Sequence, residues 1–100
     1  MNILADFARR HPRQAAQFKE AWQPLFQRLL ASDRDQIPDV NLREGYYAGQ
    51  NTDYWVSGAL DALKAIDDST RGTLVLPPAM KILDLGCSSG RVLRARCEIN

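Results

Sequence analysis

The hundred-residue chain has one histidine, two cysteines, three lysines and no long apolar run, and its formal net charge is only +1. Each shortage excludes something. Without an apolar stretch near the roughly 18 residues that a membrane span needs, no transmembrane segment is expected. The N-terminus, MNILADFARRHP, meets charge at Asp6 before any apolar core develops, so it makes a poor signal peptide. Cys87 and Cys97 form no CxxC pair and have no histidine beside them, which argues against a structural zinc site and suits a reducing cytoplasm. A charge near zero gives no electrostatic pull toward nucleic acid or a membrane surface. The run ARRHPR is one turn of charge without interleaved aromatics and reads as a solvated helix end. These limits describe a cytoplasmic globular chain of at most one domain, with a thin core.

What is present is mostly helical in pattern. A short helix is expected over about Ile3 to Arg10. Pro12 suits a helix start, where its missing N–H costs nothing. From there Ala15, Phe18, Trp22, Leu25, Phe26, Leu29 and Leu30 recur at three- and four-residue spacing, a helical stripe in which Pro24 is expected to make a kink or a division. The aromatics Phe18, Trp22 and Phe26 read as core or as a face for a partner helix. Residues 32–51 have no period and carry Pro38, Gly45 and Gly49, so they read as a long loop. A second stripe, Trp55, Val56, Ala59, Leu60, Leu63 and Ile66, predicts a helix capped by Asn51 or Thr52. It is expected to stop before Asp67 and Asp68, because two acids at a helix C-terminus oppose its dipole.

The last quarter differs. Lys81 to Leu85 is a short apolar run with turn residues directly behind it, and it reads as a strand; RVLRARC, from about Ser89, can start a helix. A glycine-rich turn between strand and helix is a place to hold a nucleotide-like ligand, since glycine admits close backbone approach and the helix N-terminus offers free N–H groups. No lysine follows Gly90, which disfavours a P-loop; counted from Gly86, a dinucleotide fingerprint would need glycine at Ser88 and Arg91.

The spacing Asp84-x-Gly86-x-Ser88-x-Gly90, inside ILDLGCSSGRVLR, resembles the first motif of class I S-adenosylmethionine-dependent methyltransferases. Ser88 stands where that family usually has its middle glycine. The resemblance implies an α/β, Rossmann-like fold, of which this chain would hold the N-terminal helices, the first strand and the start of the next helix. Residues 1–72 would form a helical cap region and residues 73–100 the start of the cofactor domain. It implies S-adenosylmethionine as cofactor and methyl transfer as activity. Asp84 would face the ligand's ammonium. Gly86 would let the backbone approach, the backbone at Cys87 and Ser88 would line the methionine part, and Gly90 would permit close packing of the helix start. Tyr47, with Tyr46, Asn51 and Tyr54, would lie near the ligand carboxylate, to which a tyrosine hydroxyl can donate; taken singly, each tyrosine reads first as a half-buried packing residue. Arg43 and Arg91 are further candidates for that carboxylate, although Arg91 reads first as a solvated first-turn arginine.

No residue is marked as catalytic, no metal site is expected, and the methyl acceptor is not specified. The terminal CEIN looks like the end of a second strand with Glu98 as its acid. However, Glu98 follows Gly90 by too few residues for the dozen or more that a crossover needs, so Glu98 receives no role. One strand out of a seven-stranded sheet suggests a fragment, and a lone parallel strand has open edges. The chain by itself is then expected to be marginal, associating or partly molten, and inactive. A second reading is a non-catalytic helical interaction module that uses Phe18, Trp22 and Phe26 as its contact face.

Overall fold

The structure is a computed structural model, and it describes residues 2–33, Ile37 and residues 51–75. Among these residues the order is α1 (Ile3–Arg10), α2 (Pro12–Ala15), a 3-10 turn (Glu20–Trp22), α3 (Gln23–Ser32) and α4 (Asn51–Thr70).

The caps account for the first two helices. The Asn2 side chain accepts the Ala5 N–H at 3.1 Å and satisfies one orphan donor of α1. Asp6 lies in its first turn and Arg9 and Arg10 in its last, the order the helix dipole favours. At His11 the helix ends and Pro12 opens α2, where a missing N–H is harmless. After one turn, α2 tightens: Gln17 N–H bonds Gln14 O, and Phe18 N–H bonds Ala15 O. Lys19 is extended (φ −100°, ψ 145°).

The stripe from Ala15 to Leu30 is therefore divided rather than kinked, though not at Pro24 itself. The break falls at Phe18–Lys19, and Pro24 sits in the first turn of α3. In mid-helix the proline ring would remove a hydrogen bond and clash with the preceding turn; in the first turn it does neither. The apolar spacing survives the break because the 3-10 turn carries Trp22 inward, next to Phe26 and Leu29.

Helix α4 runs beyond Ile66 to Thr70, and the expected stop before the two acids does not occur. Each acid has a partner that outweighs the dipole. Asp67 accepts from the Trp22 indole, and Asp68 pairs with Lys64 one turn earlier at 3.0 Å. The helix closes instead through Gly72 N–H to Asp67 O at 2.9 Å, a bond that carries the chain through the left-handed region at Arg71 (φ 54°) and Gly72 (φ 84°). Thr70 Oγ1 donates to Ile66 O and accepts from Leu74 N–H, which folds the exit back toward the core. Asn51 is the first residue of α4 rather than its cap.

The core joins α1, the 3-10 turn and α3 to one side of α4. Phe7, Trp22, Phe26 and Leu29 meet Val56, Ala59, Leu60, Ala62 and Leu63. Phe18 stands edge-on to both Trp22 and Phe26 (centroids 5.8 and 5.6 Å), and Phe26 stands edge-on to Trp55, the geometry that ring quadrupoles favour. The Phe18–Trp22–Phe26 set thus belongs to this molecule's own core and is not an open contact face. From Asp53 to Leu60, α4 also buries Tyr54, Ser57 and Gly58 on its other side.

The expected α/β, Rossmann-like fold is corrected by this arrangement. The described residues form a small helical assembly, and no strand occurs among them. Residues 2–33 and 51–75 space their apolar side chains three and four apart, so the backbone bonds within each helix and requires no sheet partner. The strand expected over Lys81–Leu85 and the helix start after Ser89 lie outside the described residues. Among the described residues no helix is long and apolar enough to cross a membrane.

Candidate functional site

The polar features of the described residues gather on three carboxylates that tie α4 to the rest. Asp53, in the first turn of α4, is wholly buried. Arg10, at the end of α1, grips it with a two-pronged fork, Nε to Oδ2 at 2.7 Å and Nη2 to Oδ1 at 2.6 Å. The His11 ring places Nε2 3.1 Å from Oδ2 and packs against Phe7, with centroids 4.8 Å apart. Arg10 Nη2 also donates to Asp6 Oδ2 at 3.0 Å, and Asp6 in turn pairs with Arg9. The guanidinium and carboxylate meet as a bidentate, charge-assisted pair, stronger and more directional than a bond between neutral groups.

The electrostatics of Asp53 follow from those partners. The hydrogen bond from Arg10 holds its carboxyl below the usual carboxylate range. Burial works against this, and His11 adds to it. The same bond raises the Arg10 guanidinium. A carboxylate that is ionised, buried and engaged by two donors on Oδ2 and one on Oδ1 is a poor proton acceptor for catalysis. Its chemistry is that of a fastening between α1 and α4.

Asp67 forms the second tie. Trp22 Nε1 donates to its Oδ2 at 2.6 Å, and Lys19 Nζ stands 3.3 Å from the same oxygen. The indole bond is the main reason its carboxyl is held below the ordinary value; burial opposes the shift and Lys19 assists it. Beside it is a cavity of about 260 Å³ lined by Gln17, Lys19, Trp22, Lys64 and Asp68. Both lysines there already face carboxylates, which leaves little positive field for an anion. The third tie is Trp55 Nε1 to Asp33 Oδ2 at 2.8 Å, between α4 and the residue that ends α3. Both indoles of the chain thus donate to carboxylates.

The sequence-derived cofactor residues Asp84, Gly86, Cys87, Ser88, Gly90 and Tyr47 all lie outside the described residues, as do Tyr46, Arg43, Arg91, Glu98 and both cysteines. Of the expected surroundings, Asn51 is exposed at the start of α4 and Tyr54 is fully buried. Tyr54 is therefore packed within the fold, the second of the two roles its sequence context allowed. Among the described residues no group of three or more His, Cys, Asp or Glu side chains could hold a metal ion.

Sequence reasoning passed over Arg10, His11 and Asp53. ARRHPR read as solvated, yet Arg10 and His11 converge on a buried acid more than forty residues away. One signal was available: Asp53 is a lone acid at the head of the apolar run YWVSGAL, where an ionised group needs a partner from elsewhere. Comparison of the chain with protein-family models, with curated proteins and with solved structures finds no match.

Proposed function

We propose that this chain binds S-adenosylmethionine through residues 84–90 and serves methyl transfer to an acceptor. The observation that carries the reading is the ordered run Ile82-Leu83-Asp84-Leu85-Gly86-Cys87-Ser88-Ser89-Gly90. An acid two residues before a glycine suits a ligand with a free ammonium. Glycines at 86 and 90 suit close backbone approach. The missing lysine after Gly90 suits a ligand without phosphate. Asp84 would hold the amino-acid end of the ligand by a charge-assisted bond. Tyr47 would donate to its carboxylate. The methyl group would pass from the sulfonium to a lone pair of the acceptor, leaving a neutral thioether, and the protein's main contribution would be in-line positioning. The proposal rests on these side chains and their spacing, not on a sheet.

Isothermal titration with S-adenosylhomocysteine and, separately, with NADH tests it. The expected result is saturable one-to-one binding of S-adenosylhomocysteine only. Asp84→Ala should weaken it at least about tenfold, the scale of one hydrogen bond to a charged group. Equal binding of both ligands, or of neither, overturns the reading.

A further inference from the structure

We infer that residues 2–17 form a clasp that opens and closes on α4 as a unit, with Asp53 as its catch. Three observations bear on this, and none depends on the proposed cofactor. First, among the described residues the ion pairs between this arm and α4 converge on one side chain: Arg10 supplies two bonds to Asp53 and His11 approaches its Oδ2. Second, the arm is loosely backed. A cavity of about 480 Å³ separates α1 from α3, lined by Ile3, Leu4, Phe26 and Leu30 with Gln23 and Gln27. Phe7 is the one fully buried side chain of the arm, and Ile3, Leu4 and Ala15 pack against the core only in part. Third, the arm has a natural hinge. Helix continuity is lost at Phe18–Lys19, and directly beyond it Lys19 and Trp22 are fixed to Asp67. The chain past the hinge is therefore anchored to α4 independently of the Asp53 bonds that hold the arm.

An eight-residue helix is not stable alone in water, so the arm, once released, is expected to lose α1 together with its contacts. Opening would expose Phe7 and uncover the buried first turn of α4. Such local opening, below the free energy of global unfolding, is the usual behaviour of a short unit with few buried side chains, and among the described residues of the arm only Phe7 is buried.

Native-state amide hydrogen exchange on the full chain tests this with two variants. Ile66→Val weakens α4 at a buried position outside the cluster that contains Phe7. Its interactions persist when the clasp opens. It should speed exchange of amides 59–66 roughly two- to tenfold and leave amides 6–11 unchanged. Asp53→Asn removes the catch and should speed amides 6–11 about tenfold or more. If Asp53→Asn does not fold, Arg10→Gln replaces it with the same expectation. The inference is overturned if Ile66→Val speeds amides 6–11 as much as 59–66, because the arm then opens only with the whole molecule. It is overturned equally if loss of the Asp53 pair leaves amides 6–11 unchanged, because Asp53 is then no catch.

Discussion

At the scale of single residues, the informative groups are acids in apolar surroundings. Asp53 and Asp67 are both held below the ordinary carboxylate value, by Arg10 and by the Trp22 indole respectively. The sign of the pH effect follows. A carboxyl with a depressed folded pKa binds its proton more readily in the unfolded chain. It therefore contributes stability that is fully present above the unfolded value near about 4 and is lost as pH falls through the lower folded value. The contribution of these two carboxylates should be constant around neutrality and fall below about pH 4. Asp53→Asn should cost about 1.5–3 kcal/mol at pH 7, since a charge-assisted fork is replaced by a neutral amide. The difference from wild type should shrink toward pH 3, because the unfolded chain's carboxyl takes up a proton below its ordinary value near about 4 while the Arg10-bound one resists it. Urea unfolding at pH 7 and pH 3 checks this; an equal difference at both values would mean the Asp53 charge is not what holds Arg10.

At the scale of elements, the helices are set by where breaks are cheap. Pro24 in the first turn of α3 costs nothing and restricts the unfolded chain. Pro24→Ala should therefore leave stability unchanged or lower it by up to about 1 kcal/mol. A proline inside a continuous helix would give the opposite result, a gain of about 3 kcal/mol on substitution. Thermal unfolding of the two proteins separates these outcomes. The existence of α1, the role of Pro12 and the apolar stripe of α4 were legible in the sequence, because a three- and four-residue period and a proline at a helix start act locally. The break at Phe18–Lys19 and the extension of α4 past Asp67 were not. Nothing in the run AAQFKEAW marks the interruption, and the end of α4 depends on Trp22, which lies 45 positions away in the chain. The same reason hid the Asp53 site: an arginine and a histidine in a basic run look solvated until a distant buried acid is placed beside them.

At the scale of the whole molecule, the described residues make a helical assembly in which α4 is the common support. The core face of α4 receives Phe7, Trp22, Phe26 and Leu29, and Asp53, Trp55 and Asp67 tie it to the preceding segments. Apart from Tyr47, the residues proposed to hold the cofactor follow α4 in the chain, and their chemistry was legible only as a motif. The most direct test of that assignment is a two-dimensional amide NMR titration of the isotope-labelled chain with S-adenosylhomocysteine. The account predicts saturable shifts at amides of residues 84–90, with core amides such as those of Phe7, Phe26 and Leu63 unmoved. No shifts, or shifts confined to residues 2–75, would contradict it.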